Sequence, residues 1–243
     1  MAIQGKVHSV ETCGTVDGPG IRYILFLAGC PLRCKYCHNC DTWNGGIGDT
    51  MSVEEIVEEV KRYKPYFRFS KGGITVSGGE PTMQHNFLTT LLKSCKEEEI
   101  HTCLDTSGYC DEIKAEEFLP FTDMVLLDLK HIDDEKHRQL TGVSNEKILK
   151  FAKLLEAKNI PVWIRHVVVP GYTDEEQDVE NLCKFIQGLK NVEKVELLPY
   201  HAMGVHKWEG LGLNYELHDV QSPTPELMEK IKNVFRKYNI EVS

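Results

Sequence analysis

The 243-residue sequence lacks any apolar run that approaches the roughly 18 residues of a membrane-spanning helix. It also lacks an excess of positive charge, because 28 Lys and Arg stand against 37 Asp and Glu and give a net charge of −9. The first absence argues against a membrane partner, and the second argues against nucleic acid. The amino terminus lacks a signal peptide's apolar stretch, so we expect a cytoplasmic protein with reduced thiols.

Internal repeats, low-complexity tracts and linkers are also missing, so a single domain over residues 1–243 is the simplest prediction. A chain of this length buries roughly 70% of the surface that its unfolded form exposes, and it needs no disulfide to fold. We divide the domain into an amino-terminal extension (1–21), a core (22–200), and a loop with a carboxy-terminal helix (201–243).

Six short apolar segments alternate with segments of helical periodicity. The predicted strands are 23–28, 74–77, 100–104, 124–127, 162–169 and 192–198. The first predicted helix begins at a Ser52 capping box and is stopped by Pro65, and the others are 87–99, 111–118, 144–158, 174–189 and 225–238. Strands separated by helices pair in parallel, since parallel neighbours need a crossover connection. The sequence therefore predicts an α/β fold.

Polar or cysteine residues follow the ends of five of these strands, at Cys30, 77–80, Asp105, Asp128 and His201. In a doubly wound open sheet they would lie along one edge, whereas in a (β/α) barrel they would converge on one pocket. This placement favours a partial, open (β/α)6 barrel of the TIM type. Residues 201–222 carry three glycines and little periodicity, which indicates a long loop or lid.

Nine cysteines are present, an odd number that disfavours a disulfide framework and favours metal or cofactor ligation. Cys30, Cys34 and Cys37 have Cys-x3-Cys-x2-Cys spacing, so one loop can surround a single inorganic centre. Three interpretations remain open from the residues alone. Zinc could take Cys40 or His38 as its fourth ligand, an iron–sulfur cluster could take Cys40, or a four-iron cluster could keep one iron open.

The cysteine spacing, with aromatic Tyr36 before the third cysteine, resembles the cluster loop of radical S-adenosylmethionine (SAM) enzymes. Among these, the chain is similar to the activases of glycyl-radical enzymes, in particular those of pyruvate formate-lyase. Blocks that match in order and spacing are Thr15–Arg22, Ser77–Glu80, Asp105–Gly108, Leu127–Lys130, Trp163–Arg165 and Leu197–His201. The resemblance covers essentially the whole chain and implies the radical SAM core fold.

The resemblance implies one [4Fe-4S] cluster held by Cys30, Cys34 and Cys37, with the fourth iron binding SAM. Cys40 has no counterpart among the ligands of these relatives, and we predict that it is not a ligand. The implied SAM contacts are Tyr36, Cys37, His38, Gly78, Gly79, Glu80, Asp128, Leu129, Lys130 and His201. The implied site for a monovalent cation consists of Asp105, Thr106 and Asp128.

The implied reaction is reductive cleavage of SAM to methionine and a 5′-deoxyadenosyl radical, which takes a hydrogen atom from a glycine of pyruvate formate-lyase. The implied electron donor is reduced flavodoxin or ferredoxin, and we expect a monomer. The alternatives are an activase of another glycyl-radical enzyme, a radical enzyme for a small molecule, and a zinc-stabilised binding module. Residues 41–94 contain no cysteine, which argues against the activases that carry a ferredoxin-like insertion.

Three further residues have predicted structural roles. Arg165 should point inward from its strand, where an unpaired charge is costly, so we expect a carboxylate partner. Cys95 and Cys183 lie on apolar helix faces and should pack in the core. Cys13, Cys103 and Cys110 receive no role.

Overall fold

The computed structural model describes residues 2–243 and has an α/β architecture. Its strands are β1 (Gln4–Gly14), β2 (Arg22–Leu27), β3 (Asp49–Ser52), β4 (Gly73–Gly78), β5 (His101–Thr106), β6 (Met124–Asp128), β7 (Val162–Val168) and β8 (Val192–Pro199). Its helices are α1 (Val53–Lys61), α2 (Lys64–Ser70), α3 (His85–Glu97), α4 (Glu112–Phe118), α5 (Asp134–Thr141), α6 (Glu146–Ala157), α7 (Glu176–Gln187), α8 (Val205–Gly210) and α9 (Pro225–Lys237). None of the helices in this part of the chain combines the length and the apolar character that crossing a bilayer requires.

The strands lie in the order β3-β1-β2-β4-β5-β6-β7-β8, so β3 and β8 are edges and the sheet is not closed. Parallel pairing is present between β2 and β4, β4 and β5, and β7 and β8. All six predicted strands are found, with ends that shift by at most two residues. The prediction of an α/β fold with a partial, open (β/α)6 core is therefore confirmed in its fold class and in the parallel sheet that does not close.

The sequence analysis missed β1 and β3, which pair with each other in antiparallel orientation. β1 also runs antiparallel to β2, so the amino-terminal extension contributes a strand to the sheet. Its alternation of partly exposed and buried residues is typical of a strand with one face exposed to solvent. Polar Lys6, Ser9 and Glu11 interrupt the apolar run on which the strand predictions relied.

Two local predictions were wrong, and a helix was missed. Pro65 does not end the first helix, which stops at Lys61; it lies in the first turn of α2, where the missing N–H costs nothing. Residues 201–222 are not all loop, because α8 lies within them. No helix was predicted over α5, which has an Asp133 cap and Gly142 in the left-handed region at φ 82°. At the start of α6, Asn145 holds the N-cap position without a side-chain capping bond, and the Ser144 hydroxyl accepts from the Glu146 N–H at 3.2 Å.

The chain divides into two compact units, one with residues 2–31 and 42–126 and one with residues 32–41 and 127–243. In the first unit, β2, β4 and β5 are in parallel register, with Leu27 opposite Gly78 and Val76 opposite Leu104. The carboxyl ends of these three strands therefore lie side by side. In the second unit, β7 and β8 pair in parallel and end at Val168 and Pro199. A single domain over the whole chain stays a prediction.

Candidate functional site

The predicted cysteines follow the end of β2. Gly29, at φ 99°, turns the chain after the strand, and Cys30 then donates its N–H to the Trp43 carbonyl at 3.3 Å. We call residues 32–41 the cysteine loop. Its backbone is held by α5, because Arg33 N–H donates to the Thr141 carbonyl at 2.7 Å and Lys35 N–H to the Leu140 carbonyl at 3.0 Å.

The three predicted ligand cysteines differ in burial: Cys34 is buried, whereas Cys30 and Cys37 are partly exposed. None of the nine cysteines, all of which lie in residues 2–243, forms a disulfide. Within these residues, no three His, Cys, Asp or Glu side chains are grouped as ligands of one metal ion. Cys40 is buried, and this burial, with the charges of Cys37 and Asp41, raises the pKa of its thiol to about 11.

The Glu80 turn, which we define as residues 78–80, follows β4 in the first unit. Gly78 adopts φ 117°, and a Cβ atom there would lie 2.3 Å from the Leu27 backbone nitrogen. A Cβ atom on Gly79 would lie 2.3 Å from the Gly29 carbonyl oxygen. Glu80 N–H donates to this same oxygen at 2.8 Å. Both positions therefore require glycine, because the backbone of the turn approaches the end of β2 too closely for a side chain.

The Glu80 carboxylate is fully buried and accepts hydrogen bonds only from its own unit among the described contacts. Its Oε1 accepts from Thr106 Oγ1 at 2.6 Å and from Thr82 Oγ1 at 2.8 Å and N at 3.2 Å. Its Oε2 accepts from the N–H of Ser107 at 2.9 Å and from the hydroxyl of the same residue. Five donors saturate a carboxylate, so the side chain is occupied in fixing the turn.

The predicted cation ligands of the first unit lie at the end of β5. Asp105 Oδ2 accepts from Ser77 Oγ at 2.7 Å, and Thr106 Oγ1 is engaged with Glu80. Sequence reasoning missed Thr82 and Ser107 as members of this network. The Asp105–Gly108 block contains Ser107, but nothing in the sequence connects it to a carboxylate 27 residues away.

In the second unit, Asp128, Leu129 and Lys130 follow β6. Lys130 Nζ donates to Asp128 Oδ2 at 2.8 Å and lies 5.8 Å from the centre of the Tyr36 ring. Burial opposes the charge on Lys130, but the negative charges of Asp128, Tyr36 and Cys34, with the hydrogen bond to Asp128, together outweigh it and raise the pKa of this lysine well above its ordinary value. Leu129 is buried, and its N–H donates to the Arg165 carbonyl at 3.0 Å. A fixed ammonium group thus lies beside an aromatic residue of the cysteine loop.

Tyr36, His38 and His201 are brought together in the same unit. The rings of His38 and His201 stack with centroids 4.1 Å apart, and His38 Nε2 lies 2.8 Å from the His201 carbonyl oxygen. A carbonyl only accepts, so His38 carries its proton on Nε2. Burial lowers the pKa of His38. His201 Nδ1 and the Tyr36 hydroxyl are buried without a hydrogen-bond partner. Two orphaned polar atoms beside the cysteine loop are suited to a polar ligand.

The structural expectations for three other residues are confirmed. Arg165 is 9% exposed, and its Nε donates to Glu196 Oε2 at 3.1 Å, which supplies the expected carboxylate. Cys95 and Cys183 are both fully buried, in α3 and α7.

A family model described as the Radical SAM superfamily matches residues 24–186. The pyruvate formate-lyase-activating enzyme of Staphylococcus aureus strain USA300 is 52% identical, over 98% of this chain and 97% of its own length. The chain belongs to this activating-enzyme family of the radical SAM superfamily.

Solved structures agree with this assignment. A crystallised domain of the pyruvate-formate lyase-activating enzyme from Bacteroides vulgatus ATCC 8482 is 26% identical with a TM-score of 0.60, and covers 71% of this chain and 98% of its own. Streptococcus suis SuiB bound to its precursor peptide SuiA is 19% identical with a TM-score of 0.68, over 90% of this chain and 46% of its own, and shows the fold alone.

Radical SAM enzymes use a [4Fe-4S] cluster and SAM, and these are the cofactors of this chain. The thiols of Cys30, Cys34 and Cys37 take part in no disulfide, and thiolates are the ligands that iron–sulfur clusters use. The orphaned polar atoms of Tyr36 and His201 are compatible with a polar cofactor beside them.

Proposed function

We propose that this protein activates pyruvate formate-lyase by installing a radical on one of its glycines. The observation that carries the proposal is the 52% identity to a curated activating enzyme over 98% of the chain, far beyond the radical SAM core. The match includes the extension before β2 and the segment after β8. An activase needs more than its cofactors, since it must also receive a protein substrate.

In this proposal, Cys30, Cys34 and Cys37 hold the cluster, and Cys40 remains a buried thiol outside it. The cluster, when bound, supplies the electron that splits SAM into methionine and a 5′-deoxyadenosyl radical. The chain's own residues bind and orient the cofactor and keep water away from it. Gly78 and Gly79 are proposed to meet the amino group of SAM through backbone atoms of the turn.

The remaining SAM contacts have distinct proposed roles. Lys130 is a fixed cation for the cofactor carboxylate, while Asp128 and Leu129 are proposed to lie along the ribose. Tyr36, Cys37 and His38 would meet the adenine edge, and His201 Nδ1 offers an unused polar atom. Glu80 would act through the turn it fixes, since its carboxylate oxygens already hold five donors.

Asp105, Thr106 and Asp128 are proposed to bind a monovalent cation, for which their hard oxygen atoms are suitable ligands. We further propose a monomeric, cytoplasmic protein that folds as one domain. Its proposed electron donor is reduced flavodoxin or ferredoxin. No role for nucleic acid or membrane is proposed, consistent with the net charge of −9.

Anaerobic incubation with SAM, a reductant and pyruvate formate-lyase tests the proposal. We expect a glycyl-radical signal on the lyase by electron paramagnetic resonance, and none with Cys34→Ala protein. A signal on a different glycyl-radical enzyme, and none on pyruvate formate-lyase, would reassign the substrate. A colourless zinc protein without iron would contradict the cofactor assignment itself.

A further inference from the structure

The segment between β8 and the end of α8, residues 201–210, lies against the cysteine loop within the second unit. Four of its residues contact or closely approach four residues of the loop. The pairs are His201 with His38, Gly204 with His38, Lys207 with Asn39 and Asp41, and Trp208 with Cys37. Nothing in the proposed chemistry uses Gly204, Lys207 or Trp208.

Trp208 makes the most buried of these contacts. Its indole Nε1–H donates to the Cys37 carbonyl oxygen at 2.8 Å, and the residue is 6% exposed. The indole ring packs edge-on against Tyr215 at 5.3 Å, and the Tyr215 hydroxyl lies 2.6 Å from that of Tyr200, which follows β8. The indole is thus connected through Tyr215 to Tyr200 at the end of β8, and its hydrogen bond ties the Cys37 backbone to this cluster.

Lys207 acts on the next turn of the loop. Its Nζ donates at 3.1 Å to both Asn39 Oδ1 and Asp41 Oδ1. The side chains of Lys207 and Asp41 are 29% and 26% exposed, so the ion pair by itself contributes little to stability. The Lys207 ammonium group nevertheless bonds both Asn39 and Asp41, and so it limits the distance between these two residues of the cysteine loop.

Gly204 permits the close approach of the two segments. A Cβ atom there would lie 2.8 Å from His38 Cα, so any side chain would push the loop away. The backbone of Gly204 has φ −84°, a value open to every residue, so the requirement is for space alone.

We infer that residues 201–210 are a clamp that positions the cysteine loop for its cofactor, with Trp208 and Lys207 as positioning residues. The inference rests on the proposed assignment of Cys34 and Cys37 as cluster ligands. The clamp contacts Cys37 and the residues beside it through a backbone carbonyl, a side-chain amide and a carboxylate. Outside the clamp, the loop is also tied to α5 through the N–H groups of Arg33 and Lys35, to Glu216 through Lys35 Nζ at 2.7 Å, and to Lys130 through the Tyr36 ring.

Hydrogen exchange of the full-length protein prepared without iron tests the clamp independently of any cofactor. The reporters are the amides of Lys35 and Cys37, which are bonded to Leu140 and Cys34. Trp208→Phe keeps an aromatic ring but removes the donor, and we expect exchange of Cys37 to become about tenfold faster. Trp163→Phe, in β7, is the matched control and should leave it unchanged. Unchanged exchange in Trp208→Phe would overturn the clamp.

The second test uses Lys207, whose side chain is partly exposed and lies outside the hydrophobic core. After reconstitution, Lys207→Met should release iron to a chelator several-fold faster than wild type, and Lys207→Arg should restore the slow rate. The electron paramagnetic resonance signal of the reduced cluster should change shape in Trp208→Phe and not in Trp163→Phe. Equal iron release by all Lys207 variants, with an unaltered signal in Trp208→Phe, would refute the positioning role.

The proposed cluster ligands and the proposed clamp would be refuted by different results. If wild-type protein binds no iron, the assignment of the cluster ligands fails, while the exchange experiment on iron-free protein still decides the clamp. If wild-type protein binds iron and exchange at Cys37 is insensitive to Trp208, the clamp fails and the cluster assignment stands.

Discussion

The Glu80 turn and the cysteine loop are built from opposite kinds of contact. The turn is organised around one buried carboxylate with five donors, and its glycines lie against neighbouring backbone. The cysteine loop is held at its edges, through backbone carbonyls and partly exposed side chains, and its thiols take no part in a disulfide. The Glu80 carboxylate is therefore satisfied by donors within the protein, whereas the loop carries thiols that are proposed to bind the cluster.

The largest expected effect is a difference in iron binding between substitutions of Cys34 and Cys40 in the cysteine loop. Cys34→Ala should abolish iron binding, because three ligands are the fewest that the proposed cluster uses. Cys40→Ala, which removes a buried thiol only six residues away, should keep a full complement of iron and the glycyl-radical activity. Iron analysis of anaerobically purified proteins measures both. Loss of the cluster in Cys40→Ala would refute the three-ligand assignment.

The next effect concerns the turn. Glu80→Ala should lower the free energy of unfolding by roughly 3 kcal/mol or more, because several buried hydroxyl and amide donors lose their only described acceptor. Urea unfolding of the iron-free protein measures this. Glu97→Ala, at an exposed position of α3, is the control and should stay within about 0.5 kcal/mol of wild type. A small loss in Glu80→Ala would mean that the turn is not organised by its carboxylate.

Two glycine substitutions compare the crowding of the Glu80 turn with that of the clamp that holds the cysteine loop. Gly79→Ala should destabilise the protein by roughly 1–3 kcal/mol, since the new Cβ atom meets the Gly29 carbonyl. Gly210→Ala, at the end of α8, meets no atom within 4 Å and should be neutral or stabilising by up to about 1 kcal/mol. Thermal unfolding distinguishes them, and equal effects would contradict the close approach at Gly79.

The smallest effect is a pH dependence that belongs to the second unit. His137 in α5 is 1% exposed; its Nδ1 donates to the Val143 carbonyl at 2.8 Å, and its Nε2 has no partner. Burial lowers the pKa of His137 below 6.5, so on acidification the unfolded chain takes up the proton first. The contribution of His137 to stability is therefore complete above pH 6.5 and declines as the pH falls below this value.

His137→Asn retains a donor near Val143 but no group that titrates in this range. Urea unfolding between pH 7.5 and pH 5.5 should therefore show a shallower loss of stability in His137→Asn than in wild type. A steeper loss in the variant would contradict the neutral, buried state of this histidine.

Local patterns predicted most of the fold. The six core strands are short apolar segments bounded by turns, and their identity does not depend on distant contacts. β1 was missed because Lys6, Ser9 and Glu11 face outward and break the apolar run, and only pairing with β2 and β3 makes this segment a strand. α8 was missed because six residues with glycine at the end carry too little periodicity to indicate a helix.

The sequence by itself determined the spacing of Cys30, Cys34 and Cys37 and the polar residues at strand ends, because these depend on short separations along the chain. Only the tertiary structure decided that Glu80 is saturated by Thr82, Thr106 and Ser107. It also decided that Trp208 donates to Cys37 across 171 residues. Hydrogen bonds act over about 3 Å, so such partners are set by which strand ends and loops the fold brings side by side, and no local pattern encodes them.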